Sequence, residues 1–222
     1  MRELNHPRRL SILGGVSGII GVLMIGTSFA INTGPPLGAT SDQLIAFAAT
    51  HFRSVMWGAW LQSVGSLLIV GFALALVHLA HATDRLAGWL TPLGASILMM
   101  VSLAEVIFYI SALDSVPPVM GQLSNAIGHA IQHLYFFVAA PALFVPMGVV
   151  VWSSRILPRT LGILAIALGS AFLILGVTSL YDQILSPGVT SFAAIQALWW
   201  FSAAIVLMLR SRSLGGSAET PA

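Results

Sequence analysis

Long apolar runs constrain this chain more than any other feature. A helix needs about 20 consecutive, predominantly apolar residues to cross a hydrocarbon core of about 30 Å. Six such runs occur, at 10–31, 55–78, 86–112, 130–152, 160–181 and 191–209. The sequence therefore predicts an all-α fold, a polytopic transmembrane bundle of six helices.

The composition supports a membrane-embedded chain. Only 7% of the residues are charged, whereas 57% are hydrophobic, and the mean hydropathy is +0.94. A soluble domain carries about a quarter charged residues, because its surface faces water. The lipid bilayer is therefore the expected surroundings of a single bundle domain over 1–212. The remaining residues, 213–222, are small and polar, and they predict a disordered tail.

The basic residues indicate how the helices are oriented. All nine are arginines, and the formal net charge is +2. With both termini in the cytoplasm, Arg53 alone lies outside, and the other eight lie on the cytoplasmic side: Arg2, Arg8, Arg9, Arg85, Arg155, Arg159, Arg210 and Arg212. This distribution follows the positive-inside rule. Arginines scattered in this way form no phosphate-binding patch, so no nucleic-acid partner is expected.

Several local signals refine this map. Arg8-Arg9, the apolar run after them and Ser28-Phe-Ala30 also fit a secretory signal, whose cleavage would leave five helices in the same orientation. Thr40-Ser-Asp-Gln43 fits a capping box and predicts a short interfacial helix before the second span. Pro117-Pro118 and Gly121 are expected to break the chain before the fourth span.

Prolines and glycines inside the spans predict how the helices pack. Pro141 and Pro146 fall within the fourth run, where they should disturb the helical hydrogen bonding. Gly162, Gly169 and Gly176 recur every seven residues in the fifth run. Small residues let helix backbones approach closely in lipid. Packing inside the bundle is the favoured interpretation, and a seam between two copies of the chain is the alternative.

Glu105 is the only acid deep within an apolar run. It lies about 10 Å, or seven residues, from the predicted outer end of the third helix. A carboxylate at that depth is costly unless it is paired, protonated or hydrated, so it is by default a candidate functional site.

Polar residues that could accompany Glu105 all come from the outer halves of the helices. They comprise a His-x-x-x-His pair, a third histidine and several hydrogen-bonding side chains: His129, His133, His51, Gln62, Tyr109, Asp182 and Gln196. The inner halves contain little beyond serine and threonine. This asymmetry predicts a polar pocket open to the outer side.

Three interpretations of this cluster remain open. In the first, Glu105 exchanges a proton, and the pocket binds or transports a small ligand or ion, with His129, His133 and His51 around the acid. In the second, a membrane-embedded enzyme or redox protein holds a metal or haem through His51, His129, His133 and Glu105, because two imidazoles four residues apart share a helix face. In the third, Glu105 locks a structural subunit of a membrane complex through hydrogen bonds to Gln62, Tyr109 or a histidine.

Recognisable enzyme signatures are absent from the sequence. It contains no GxSxG, HExxH, P-loop or dinucleotide-binding glycine pattern, and no cysteine that could act as a nucleophile or metal ligand. The predicted cytoplasmic loops are too short to form a nucleotide site. A non-enzymatic role is therefore favoured. Association with another copy or with other membrane subunits stays open.

The segment entering the fifth run, Trp152-Ser-Ser-Arg155-Ile-Leu-Pro158-Arg159-Thr-Leu-Gly162, has a basic turn and a proline that opens a helix. It resembles a segment of uncharacterised bacterial six-helix integral membrane proteins. The resemblance implies location in the bacterial cytoplasmic (inner) membrane. It implies no activity and transfers no functional residue.

Overall fold

The computed structural model describes residues 6–32, 34–36, 38–114, 118–179 and 186–216, and all of the regular structure in these ranges is helical. The elements are α1 His6–Ile31, α2 Ser41–Leu79, α3 Leu86–Asp114, α4 Pro118–Leu134, a π-helical segment Tyr135–Ala139, α5 Ala140–Ser154, α6 Arg159–Ser179 and α7 Ser186–Gly216. Because α4, the π segment and α5 run into one another, the described chain forms six helical rods. Each rod contains a stretch long and apolar enough to cross a membrane. The predicted all-α class is confirmed, and the architecture is compatible with an integral membrane protein.

The rods form a ring. Helix α1 packs against α2 and α7, α3 packs against α2 and the α4–α5 rod, and α6 packs against α5 and touches α7. Arg85 donates to Ser153 Oγ (3.3 Å), and Arg210 donates to the Arg155 carbonyl (2.8 Å). We call the end that carries these contacts the arginine end. The opposite end is called the loop end. It is formed by the start of α4 and by the described residues between α1 and α2, namely 32, 34–36 and 38–40, which we call the 32–40 loop.

Several helices extend beyond the apolar runs. The predicted capping box is confirmed, because Thr40 accepts from the Gln43 backbone N–H and Gln43 bonds back to Thr40. The separate interfacial helix is wrong, since nothing after Gln43 breaks the backbone ladder and α2 continues to Leu79.

The fourth helix and α7 also extend beyond their predicted apolar runs. The fourth helix begins at Pro118, because a proline at the first helical position lacks only an N–H that would be unpaired anyway. Gly121 lies inside it. Helix α7 ends at Gly216, four residues into the predicted tail, so helical hydrogen bonding outlasts the apolar pattern there too.

The π segment lies where the sequence predicts disturbed hydrogen bonding. Pro141 has no N–H, and its ring crowds the carbonyl four residues earlier. The helix accommodates the ring by widening for one turn, in which the Ala140 N–H donates to the Tyr135 carbonyl five residues back. Pro146 lies in regular α-helix.

Glycines bring α5 and α6 into backbone contact. A Cβ on Gly162 would lie 2.7 Å from the Trp152 nitrogen, and one on Gly169 would lie 2.9 Å from a Val145 methyl. Gly176 meets Phe137 in the same way. The predicted use of these glycines inside the bundle is confirmed.

The apolar core lies where the rods converge. Phe144 and Phe172 are fully buried and contact each other. Phe144 also packs against Trp199 and Trp200, and Trp200 packs against Phe72, with ring centroids 5.2 to 6.3 Å apart. Towards the loop end, polar contacts appear between α2, α3 and α4.

Candidate functional site

Glu105 joins three helices through its two carboxylate oxygens. On one side, Gln62 Nε2 of α2 donates to Oε2 at 2.9 Å. On the other, Gln132 Nε2 of α4 donates to Oε1 at 2.8 Å and also lies 2.7 Å from Tyr109 Oη. Gln62 and Tyr109 are buried, with 5% and 6% of their surface exposed. The four side chains form a continuous group, which we call the Glu105 network.

The charge in this network has no cationic side chain in contact with it. Within the described ranges, every hydrogen bond to the Glu105 carboxylate comes from a neutral amide. The ionisable groups within electrostatic reach of Glu105 are Tyr109, His129 of α4 and Tyr135 of the π segment. Carboxylates at hydrocarbon depth normally pair with another charge or with a bound ion. A proton or another cation could therefore supply the missing counter-charge.

Polar contacts continue from this network along the helix interface. One turn towards the arginine end, Ser66 of α2 donates to Ser102 of α3 at 3.0 Å. Towards the loop end, Ser111 of α3 and Ser124 of α4 lie 3.1 Å apart. The Glu105 network is therefore the centre of a longer polar track between α2, α3 and α4.

One face of α4 connects the track to the loop end. Three side chains along this face bond carbonyl groups of the 32–40 loop. Gln122 donates to Ala39 O (3.4 Å), Asn125 donates to Pro36 O (3.0 Å), and His129 Nε2 lies 3.2 Å from Pro35 O. Gln132, the next polar residue on this face, contacts Glu105. We call these four residues the α4 polar stripe.

The loop itself rests on the network. Asn32 accepts from the Gly34 N–H at 3.1 Å, and Gly34 has φ +65°, a conformation in which other residues are strained. A Cβ on Gly34 would lie 3.6 Å from the Tyr109 ring. Across the ring, His129 meets Tyr109 edge to face, with centroids 5.7 Å apart. The loop therefore covers the Glu105 network at the loop end.

The structure brings only some of the predicted residues together. Gln62 and Tyr109 contact Glu105 or its bridging amide, and His129 borders the group. His51 is exposed, stacks on Phe47 at 4.4 Å and bonds Thr50 at 2.6 Å. His133 is exposed and stacks on Phe137. Asp182 lies outside the described residues.

The suggested metal ligands do not converge. Among the residues that the structure describes, no group of three or more histidine, aspartate or glutamate side chains could hold a metal ion. His129 and His133 are one turn apart, but His129 faces the loop and Tyr109, whereas His133 is exposed. The predicted metal or haem site made of His51, His129, His133 and Glu105 is therefore not formed by the described residues.

A second polar contact joins the π segment to α7. Tyr135 donates its hydroxyl proton to Gln196 Oε1, within a cluster that includes Phe136 and Phe172. Gln196 was among the polar residues that the sequence placed near Glu105, whereas Tyr135 was not. The hydroxyl would otherwise be an unpaired donor among apolar rings, so this bond fixes α7 against the widened turn.

Gln122, Asn125 and Gln132 were also missed as members of the site. Their spacing with His129, at steps of three, four and three residues, is that of one helix face. That signal was available in the sequence. The two histidines were the more conspicuous pattern.

A separate groove lies at the arginine end. It has a volume of about 410 Å³ and is lined mainly by apolar groups of α2 and α3, including Leu74, Ala75, Gly88 and Trp89. It contains no member of the Glu105 network.

No protein-family model, curated protein or solved structure matches this chain.

Proposed function

We propose that this protein is a multi-pass protein of the bacterial cytoplasmic membrane. It binds or transports a small ligand or ion through a polar pocket at the loop end. Glu105 is its ionisable centre. Gln62, Gln132 and Tyr109 hold the carboxylate, and the 32–40 loop covers it. The other partners, a second copy of the chain or a membrane complex, stay predictions.

One observation carries the proposal: a lone carboxylate bridges three apolar helices through neutral amides alone. An ionised group at hydrocarbon depth costs at least about 2.5 kcal/mol. A purely structural bridge needs no charge, since an amide at position 105 would make comparable hydrogen bonds. An acid at this position therefore supports a role in which the carboxyl group binds and releases a proton or another cation.

The arginine distribution supports the orientation. Arg85, Arg155 and Arg210 share one end of the bundle, and the covered network lies towards the other. Under the positive-inside rule the arginine end is cytoplasmic, and the pocket opens outward. The chain has no cysteine, so a single cysteine at Gly38 or Ser217 reports the side of each segment. A membrane-impermeant maleimide applied to intact cells should label the first and spare the second; the reverse result contradicts this orientation.

Proton exchange at Glu105 is the primary test of function. Infrared spectra of the purified protein in lipid, recorded across a pH series, should contain a protonated-carboxyl band that varies with bulk pH. Glu105→Gln should remove that band. The matched control is Asp114→Asn, which deletes an acid from the exposed end of the same helix and should leave the band in place.

Ligand binding is measured on the same variants. A panel of small amines, amino acids and inorganic ions is tested for ligand-dependent increases in melting temperature. We expect increases in wild type and Asp114→Asn that disappear in Glu105→Gln. If the carboxyl band ignores bulk pH and Glu105→Gln retains every melting shift, the proposed pocket is refuted.

A further inference from the structure

We infer that the ligand held at Glu105 is a small monovalent metal cation, bound by side-chain oxygens of the Glu105 network and entering along the α4 polar stripe. This inference rests on the proposed function and specifies its ligand. Three features of the network support it: its charge, its supply of oxygens and its access.

The charge of the network selects a monovalent ion. Glu105 contributes one negative charge, and Gln62, Gln132 and Tyr109 contribute none. One monovalent cation neutralises the group, whereas a divalent ion would leave a net positive charge between apolar helices. Net charge in such surroundings is costly.

The network contains five candidate oxygen ligands for a cation. Two belong to the Glu105 carboxylate, one to each glutamine amide and one to Tyr109. A half-turn of either carboxamide places its oxygen where Nε2 now lies, 2.9 or 2.8 Å from a carboxylate oxygen.

Oxygens at that spacing repel each other unless a proton or cation lies between them. Hard cations prefer oxygen ligands, at about 2.3 to 2.6 Å in the case of Ca²⁺, so a small ion fits between such neighbours. In the empty site, the two glutamine amides donate hydrogen bonds to the carboxylate. In the filled site, they bind the ion through their oxygens.

The access route is marked by Asn125. This side chain is 2% exposed, lies two turns from Gln132 on the same α4 face, and donates to Pro36 O. Its Oδ1 is buried without a hydrogen-bond partner among the described residues. A buried acceptor without a donor is unfavourable in a closed protein. An ion passing beneath the loop would find in this oxygen a ligand that replaces part of its water shell.

Protons should compete with the cation. The ionisable groups that face Glu105 are Tyr109 on α3, His129 on α4 and Tyr135 on the π segment, while α2 contributes the neutral Gln62. Protonation of Glu105 removes the charge that attracts the ion. Cation binding should therefore weaken as the pH falls.

The test is equilibrium binding of radioactive sodium to the purified full-length protein, at constant ionic strength with choline as the replacing cation. We expect saturable binding of about one ion per chain, consistent with the single carboxylate, and progressive loss of binding as the pH is lowered. Potassium and lithium are then added as competitors, and choline should not compete.

Variants assign the binding to the network. Glu105→Gln should abolish saturable binding, and Asp114→Asn should leave it unchanged. Tyr109→Phe removes one oxygen but keeps the ring, and should weaken binding about five- to tenfold, as the loss of one polar contact does. This milder variant decides the question if Glu105→Gln is not recovered in folded form.

The outcomes separate the two proposals. The cation inference is overturned if neither sodium nor a competing alkali ion binds saturably, or if Tyr109→Phe and Glu105→Gln bind as wild type does. If binding is absent while the carboxyl band still follows pH and another ligand from the panel requires Glu105, the pocket stands and only its ligand was misidentified. If Glu105 also ignores pH and every panel ligand, both proposals fail.

Discussion

The helices of this bundle pack through different kinds of contact at its two ends. Towards the arginine end, α5 and α6 touch through Gly148 and Gly162, and a groove there is lined mainly by apolar groups. At the loop end, α2, α3 and α4 meet through Glu105, two glutamines, a tyrosine and a histidine. Close backbone contact is sufficient to associate helices in lipid. The polar end therefore carries groups that packing does not require.

We therefore expect stability and ligand binding to depend on different parts of the bundle. Substitutions at the glycine contacts should act on the fold alone. Substitutions in the Glu105 network should change binding, and some of them should even stabilise the protein.

The largest effect is expected at the glycine contacts. A Cβ on Gly94 of α3 would lie 2.1 Å from the Ala142 carbonyl oxygen of α5. Gly94→Ala should therefore push the two helices apart and reduce the free energy of unfolding by about 3 kcal/mol, the cost of overpacking. Unfolding in mixed detergent micelles measures this loss.

The matched control is Gly26→Ala in α1, where an added Cβ meets nothing within 4 Å. Alanine favours helix over glycine by about 1 kcal/mol, so this variant should be at least as stable as wild type. Equal losses at the two positions would contradict the glycine contact.

Gln132→Leu should give the next largest effect. It removes the donor to Glu105 Oε1 and leaves the carboxylate with Gln62 alone. A hydrogen bond to a charged group contributes about 1.5 to 3 kcal/mol, so we expect a loss of about 2 kcal/mol. Combined with Glu105→Gln, the same substitution should cost clearly less, because the charge is gone. An unchanged cost in the double variant would show that Gln132 acts independently of the acid.

Glu105→Gln should shift stability in the opposite direction. Its amide keeps the size of the side chain and removes the charge, and replacing buried charges is often stabilising. An increase of about 1 kcal/mol is expected, alongside the loss of ligand binding. Asp114→Asn, at an exposed position, should stay within about 0.5 kcal/mol of wild type. A strongly destabilised Glu105→Gln would show that an amide cannot replace the acid in these hydrogen bonds, and would remove the main support for the proposed function.

Asn125→Leu should have the smallest effect on stability. The variant loses the bond to Pro36 O but also removes a buried oxygen without a partner. Pro36 is exposed, so water can bond its carbonyl, and the net change should be within about 0.5 kcal/mol. Labelling of a cysteine at Gly38 should be faster, because the loop has lost one of its attachments to α4. An unchanged labelling rate would mean that the stripe does not hold the loop.

Glu105 was identifiable from the sequence because it is a single acid in a long apolar run, and depth in a membrane span follows from counting residues. The histidine pair was misleading because spacing along α4 does not say which side of the helix faces the acid. His129 and Gln132 lie on the side of Tyr109 and Glu105, whereas His133 is exposed.

Apolar runs predicted some helix ends, such as Ile31 of α1 and Leu86 of α3, but the start of α2 required a capping signal. Thr40 and Gln43 mark the start of α2 correctly. The segment between Gln43 and the second apolar run contains no helix-breaking signal. Hydropathy alone therefore placed the start of this helix too late. The π turn follows from Pro141, but its partner across the bundle, Gln196, depends on how α7 docks.

Apolar helices, the number of rods and the presence of one acid inside an apolar run could all be predicted from the sequence, because each depends on composition along one segment. The neutral side chains that meet that acid, and the loop that covers them, became visible only in the folded chain. Those contacts depend on the rotation and axial offset of α2, α3 and α4 relative to one another. These are set by packing between residues as far apart in the chain as Pro35 and His129, and no local pattern encodes them.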